Sequence, residues 1–96
     1  MIEFTHVIRD PYGLHVRTIS RLIREAGRFS SQVQVRKGTR TVRLPQMLEM
    51  MSLKAKRGDR IDIQISGEDE AAASAALEKF LQQEECRHEM QKQGAV

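Results

Sequence analysis

The chain has few cysteines, few aromatic residues and no long apolar run, and each of these absences excludes a class of protein. Its single cysteine, Cys86, can form no internal disulfide, which is typical of a protein from a reducing compartment. It has no tryptophan, one tyrosine and three phenylalanines, so it lacks an aromatic platform for nucleic-acid bases despite a net charge of +3. No apolar run approaches the roughly 20 residues that span a bilayer, and residues 1–20 lack a secretory signal pattern. These absences predict a cytoplasmic protein with no membrane insertion and no nucleic-acid partner.

The signatures of the common catalytic and metal sites are missing as well. The sequence contains no Walker loop, nucleophile elbow, His-Glu-x-x-His motif or paired-cysteine motif. Cys86 and His88 lie in a polar C-terminal stretch, and two ligands do not make a closed metal site. We therefore expect no metal and no cofactor, and we interpret both side chains as surface residues.

Apolar periodicity predicts one small α+β domain. Alternating apolar and polar residues indicate four strands, at 2–8, 32–36, 40–44 and 60–66. Helical spacing or high helix propensity indicates three helices, over 16–26, over 46–53 and after Glu70. One-sided strands and amphipathic helices predict two layers, a sheet covered by helices on one face. The apolar stripe of the last helix fades after Leu81, so we predict a domain over 1–83 and a polar helical extension or tail over 84–96.

The short helix over 46–53 has two interpretations. In the first, it turns three large apolar side chains outward, and flexible methionines suit a surface that must fit several partners. Those side chains are Met47, Leu48 and Met51. In the second, the helix is buried on more than one side. The pattern alone leaves both interpretations open.

The candidate functional segment runs from Pro11 to Thr18. A Pro-Tyr-Gly turn leads to His15, and apolar residues at helical spacing follow it, so His15 lies at or just before the first turn of a helix. A helix N-terminus presents unpaired N–H groups and partial positive charge, which suit a phosphate, and Arg17 adds a guanidinium in the same turn. His15 is thus a candidate carrier of a phosphoryl group; the alternative is a structural cap.

The segment Gly13-Leu14-His15-Val16-Arg17 resembles the active-site segment of the HPr family, the histidine-containing phosphocarriers of the bacterial sugar phosphotransferase system. The resemblance covers residues 2–83 and continues through three further stretches: Val42-Arg43-Leu44, Met51-Ser52-Leu53, and Gly58 with the isoleucine-rich strand to Gly67. It implies an open-faced β-sandwich, with a four-stranded antiparallel sheet and three helices on one face in the order βαββαβα.

The resemblance also implies partners and residue roles. His15 would accept a phosphoryl group on Nδ1 from phosphorylated enzyme I and pass it to a IIA-type domain. The protein would be a monomeric carrier and not a free-standing enzyme. Arg17 would be the counter-charge, and the backbone N–H groups of Val16, Arg17 and Thr18 would contact the phosphate. The partner surface would comprise Ser20, Arg24, Met47, Leu48 and Met51.

Two positions depart from the family pattern. Thr18 stands where proline usually follows the arginine, which restores an N–H and adds a hydroxyl, either of which is a candidate contact for the phosphate. Gln46 stands where many relatives carry a regulatory serine, so we expect no regulatory phosphoserine. These departures leave an alternative function: a regulatory binding module of the same fold that acts through the Met47/Leu48/Met51 surface, with phosphotransfer weakened or lost.

Overall fold

The alternating and helical patterns of the sequence form seven elements in the part of the chain that the structure, a computed structural model, describes. This part is residues 1–94, with side chains described for residues 1–84. The elements are β1 Ile2–Val7, α1 Val16–Ala26, β2 Gln32–Lys37, β3 Arg40–Arg43, α2 Met47–Ser52, β4 Arg60–Ser66 and α3 Glu70–Gly94. The predicted order βαββαβα is confirmed.

The four strands form one antiparallel sheet in the order β1-β4-β2-β3. β4 lies in the centre, where Ile65 is opposite Ile2 of β1 and opposite Val33 of β2. Because side chains alternate between the two faces of a strand, Ile61, Ile63 and Ile65 all point to the covered face, and each is fully buried. The predicted sheet with one covered face is confirmed.

The three helices fill the covered face with a single apolar core. α1 contributes Ile19 and Leu22, and α2 contributes Met50. α3 contributes side chains four residues apart, which share one side of a helix: Ala73, Leu77 and Leu81. Burying each side chain the size of leucine or isoleucine contributes about 1.5–3 kcal/mol, so this core is the main source of stability.

The long helix α3 passes through the predicted boundary at residue 83 without a break. Glu84 is buried on it, and its Oε1 accepts a hydrogen bond from Nη1 of Arg21 on α1 at 2.7 Å. The division into a domain over 1–83 and an extension over 84–96 stays a prediction. Cys86 and His88, interpreted as surface residues, lie outside the described side chains. Across the described residues, no helix combines the length and the apolar character that crossing a membrane requires.

Candidate functional site

The loop before α1 is held by hydrogen bonds within itself and to the loop after α2. Oδ1 of Asp10 accepts from the backbone N–H of Tyr12 at 2.8 Å, and the Asp10 carbonyl accepts from the N–H of Gly13 at 2.9 Å. The N–H of Leu14 then donates to the carbonyl of Ala55 at 2.9 Å. The two loops therefore meet directly beside the start of α1.

His15 occupies the N-cap position of α1. Its backbone is extended, with φ −103° and ψ 172°, and its carbonyl accepts the hydrogen bond from the N–H of Ile19 at 2.9 Å. Its side chain makes no capping hydrogen bond, so the interpretation of His15 as a structural cap is wrong. The imidazole is half-buried, and the ring of Tyr12 meets it edge-on with 6.2 Å between the centroids.

The imidazole contacts two buried polar groups through Nε2. The hydroxyl of Thr18 lies 3.0 Å from Nε2, and Oδ2 of Asp10 lies 3.4 Å from the same atom. The sequence predicts that the Thr18 hydroxyl is a candidate phosphate contact, whereas in the structure it faces the ring. Sequence reasoning missed Asp10, although Asp before Pro is a turn signal that points to a local hydrogen bond of this kind.

The first turn of α1 offers donors without acceptors. Among residues 1–84, the N–H groups of Val16, Arg17 and Thr18 donate to no protein atom. Such orphan donors carry the partial positive charge of a helix N-terminus. Arg17 is exposed, and over the same range its guanidinium forms no hydrogen bond or ion pair. Within residues 1–84, the structure therefore brings together His15, three N–H groups that donate to no protein atom, and the unpaired guanidinium of Arg17.

The loop after α2 adds two lysines beside the loop that carries His15. Lys54 and Lys56 are exposed and flank Ala55, whose carbonyl binds the His15 loop. Asp59 fixes this loop because it accepts from the backbone N–H of Lys56 at 2.8 Å and pairs with Lys37 at 3.0 Å. These two contacts, the Lys56 N–H first, hold the pKa of Asp59 below its ordinary value of 3.8.

The predicted partner surface is exposed with one exception. Ser20 and Arg24 are exposed on α1, and α2 packs beside that helix. On α2, Leu48 is 80% exposed and Met51 is 42% exposed.

The exception is Met47, for which the predicted exposure is only partly realised. Met47 is half-buried and packs against the core. It lies three residues before the buried Met50, so the two share one side of α2, whereas Leu48 and Met51 share the other side. Both interpretations of the short helix are thus partly correct. Tyr12 and Val16 are exposed apolar residues on either side of His15. Sequence reasoning missed the exposure of both side chains.

Gln46 is the N-cap residue of α2 and is exposed, with no capping hydrogen bond from its side chain. Within the described residues, no three His, Cys, Asp or Glu side chains come close enough together to hold a metal ion.

Comparison with known proteins identifies the family. The family model described as PTS HPr component phosphorylation site matches residues 2–83. The chain belongs to the HPr family. The phosphocarrier protein HPr of Lysinibacillus sphaericus is 35% identical over 79 residues, which cover 82% of this chain and 88% of that protein. The resemblance seen in the sequence is therefore confirmed.

Solved structures of HPr proteins share the fold. The crystal structure of HPr-C-His from Thermoanaerobacter tengcongensis has a TM-score of 0.80 and 32% identity, covering 85% of this chain and 92% of that one. An HPr dimer from the same bacterium has a TM-score of 0.68 and 31% identity, covering 88% and 97%. The HPr-like open-faced β-sandwich is thus confirmed, and a monomeric state stays a prediction.

Family membership also decides between the two functions that the sequence left open. The family model and the curated relatives are those of phosphocarriers, so this HPr-family protein is a phosphocarrier of the phosphotransferase system. The comparisons give no support to a regulatory binding module with phosphotransfer lost.

Proposed function

We propose that His15 carries the phosphoryl group of this phosphocarrier, accepting it on Nδ1 from phosphorylated enzyme I and passing it to a IIA-type domain. The observation that carries the proposal is the half-buried imidazole at the start of α1, next to N–H groups and an Arg17 guanidinium that have no partner among residues 1–84. The protein acts as a reactant that is phosphorylated and dephosphorylated in turn, and not as a free-standing catalyst.

Electrostatics supports roles for the groups around the ring. A phosphoryl group brings about −1.5 to −2 charges at neutral pH, and backbone N–H groups and arginine bind such a group through charge-assisted hydrogen bonds. We assign these contacts to Arg17 and to the N–H groups of Val16, Arg17 and Thr18. Phosphoryl transfer depends on positioning and on charge, which these groups supply. Binding by one exposed arginine stays weak enough for the group to leave again, as a carrier requires.

The partner surface that we propose follows the exposed side of α1 and the outer side of α2. It contains Ser20 and Arg24 on α1, and Leu48 and Met51 on α2, all exposed. An exposed leucine and methionine on a short helix suit contact with more than one partner, because thioethers are flexible and polarisable. Enzyme I and the IIA-type domain would use this surface in turn, since both must reach His15.

The same reasoning supports a cytoplasmic location and action as a monomer. The single cysteine agrees with a reducing compartment. A carrier that presents one site to two successive partners needs that site uncovered, which favours a monomer during transfer.

Phosphorylation by enzyme I tests the proposal. The protein is incubated with phosphoenolpyruvate and the enzyme I of the same organism, and its mass is measured before and after mild acid treatment. We expect one acid-labile phosphoryl group in the wild type and none in His15→Ala. His6→Gln is the matched control, because it changes a half-buried histidine of β1 and keeps the label. A wild type that takes up no phosphate, or a label that survives in His15→Ala, contradicts the proposal.

A further inference from the structure

We propose that Asp10 and Thr18 hold the ring proton of His15 on Nε2, so that Nδ1 keeps the lone pair that attacks phosphorus. The inference rests on the proposed role of His15 and adds two positioning residues to the transfer. Neither residue contacts the phosphoryl group through its side chain in this assignment; both act through the far side of the imidazole.

The geometry around Nε2 is fixed by buried groups. The side chain of Asp10 is only 3% exposed, and Thr18 is exposed to the same small extent. Because Oδ1 of Asp10 accepts the N–H of Tyr12, Oδ2 is the oxygen that faces Nε2, at 3.4 Å. The Thr18 hydroxyl is one turn along α1 from the N-cap, which places Oγ1 3.0 Å from Nε2. Both groups therefore meet the same nitrogen of the ring.

Hydrogen-bond chemistry then selects one tautomer. A neutral imidazole has one N–H donor and one acceptor nitrogen, and a hydroxyl can act in either role. A carboxylate only accepts, so the negative charge beside Nε2 favours the proton on that nitrogen. Nε2–H donates to Oγ1 of Thr18 and is stabilised by Oδ2 of Asp10. Nδ1 is left as the unprotonated nitrogen.

The same arrangement suits both halves of the carrier cycle. When the Nδ1 lone pair forms the bond to phosphorus, the bond between phosphorus and the donor breaks, and its electron pair leaves with the donor. The ring keeps its proton on Nε2 and becomes positively charged beside the Asp10 carboxylate, which stabilises it. When the group moves on, the bond from Nδ1 to phosphorus breaks, and its electron pair returns to Nδ1. The ring then leaves as neutral imidazole, a better leaving group than the imidazolate that a ring without this proton would form.

The tautomer can be measured without any phosphoryl transfer. In ¹⁵N-labelled protein, at a pH where the imidazole is neutral, the chemical shifts of the two ring nitrogens report which one bears the proton. We expect Nε2–H to dominate in the wild type and its population to fall in Asp10→Asn. Asparagine keeps an oxygen that can accept the Tyr12 N–H, so the turn is retained while the charge is lost. Asp62→Asn, the same change on the open face of the sheet, leaves the His15 tautomer as in the wild type.

Transfer kinetics supply the second measurement. We expect Asp10→Asn to accept the phosphoryl group from enzyme I about 10- to 100-fold more slowly than the wild type, the same size of effect as losing the hydrogen-bond partner of a metal-bound histidine. Thr18→Val should also slow transfer, and Thr18→Ser, which keeps the hydroxyl, should recover most of the rate. If Asp10→Asn does not fold, the difference in rate between Thr18→Val and Thr18→Ser still tests whether a hydrogen bond to Nε2 positions the ring.

The outcomes separate this inference from the proposed function. A wild type with the proton mainly on Nδ1, or an unchanged tautomer and rate in Asp10→Asn, overturns the inference while His15 remains the acceptor. Equal rates in Thr18→Val and Thr18→Ser also overturn the role of the hydroxyl. Absence of label on His15 in the wild type overturns the proposed function instead, and the tautomer measurement does not depend on it.

Discussion

Gly13 decides whether the two loops beside His15 can approach each other. Its φ is +70°, a conformation that favours glycine, and a Cβ at this position would lie 2.6 Å from the carbonyl oxygen of Ala55. That carbonyl is the acceptor for the N–H of Leu14, which immediately precedes His15. A side chain at residue 13 would therefore disturb the hydrogen bond that positions the imidazole.

We predict that Gly13→Ala lowers the free energy of unfolding by about 2 kcal/mol or more, because backbone strain and a clash with Ala55 add together. Phosphorylation of His15 should slow in the same variant, since the loop that carries the ring must shift. Urea denaturation measures the first effect and the rate of phosphate uptake measures the second.

Gly38→Ala is the control for this substitution. Gly38 lies in the turn between β2 and β3 with φ +62°, and a Cβ there would meet nothing within 4 Å. Gly38→Ala should lower the free energy of unfolding by about 1–2 kcal/mol, the effect of backbone strain alone. The rate of phosphate uptake should not change. Equal effects of the two substitutions on stability and on uptake would show that the contact with Ala55 is unimportant.

The short helix α2 depends on cations from the neighbouring hairpin. A helix of six residues is marginal by itself. The carbonyls of Met50 and Met51 accept from the N–H groups of Leu53 and Lys54, and the next three carbonyls along the chain accept from side chains of the hairpin. Nζ of Lys37 donates to the carbonyl of Leu53 at 3.0 Å and to that of Lys54 at 3.1 Å. Arg40 donates to the carbonyl of Ser52 at 3.0 Å and to its hydroxyl at 2.8 Å. Positive charge at this end also suits the helix dipole.

We predict that Lys37→Met loosens α2 while the sheet stays folded. The substitution keeps much of the apolar stem of the side chain and removes the ammonium group. We expect this to lower the local stability of α2 by about 1 kcal/mol. Amide hydrogen exchange of Met50, Leu53 and Lys54 should therefore accelerate about fivefold, while exchange in β4 stays slow.

Lys79→Met is the matched control, because Lys79 is exposed on α3 and has no hydrogen bond or ion pair within the described side chains. Unchanged exchange in α2 of Lys37→Met, or equal acceleration in the two variants, would contradict a capping role for Lys37.

The division of α2 into an inner and an outer side shows how far sequence can specify an element. Helix propensity predicts that a helix exists near residues 46–53, and the structure has it over Met47–Ser52. The direction of Met47 depends on where the core lies relative to so short a helix, which local pattern does not contain. Strand alternation, in contrast, correctly predicts the inward isoleucines of β4, because a period of two leaves only two faces to choose between.

At the scale of the whole molecule, the contacts that sequence could not supply are those between distant segments. The elements and the position of His15 follow from local periodicity, and the resemblance adds the fold. The pairing of β1 with β4 and the contact between Arg21 and Glu84 join residues about 60 apart, and no local signal specifies them. Asp10 is close in sequence to His15, yet its burial depends on the packing of the entire loop.

Three aspartates fasten such distant segments, and each has its pKa held below the ordinary value of 3.8. Asp59 accepts from the Lys56 N–H and from Lys37, and Asp62 accepts from Thr5 and Arg36. The carboxylate of Asp69, just before α3, accepts from the Ser31 hydroxyl first and from the Ser30 N–H next. A lowered pKa in the folded state means that the stabilisation is present above the unfolded value and is lost as pH falls through the folded value.

We therefore predict that the protein loses stability in acid below about pH 4, where these aspartates become protonated, and that Asp69→Asn isolates one contribution. At pH 7 the urea midpoint of Asp69→Asn should lie below that of the wild type. The gap should narrow as pH falls from 3.8 through the lower pKa of Asp69 in the folded state, because wild-type Asp69 then loses the charge that the variant never had. Glu68→Gln is the control, because Glu68 is a neighbouring charge with no hydrogen bond or ion pair in the described part of the chain. At pH 7 its urea midpoint should lie closer to that of the wild type than the midpoint of Asp69→Asn does. A gap for Asp69→Asn that stays constant or widens in acid would show that the link between Asp69 and the Ser30-Ser31 segment does not depend on the ionised carboxylate.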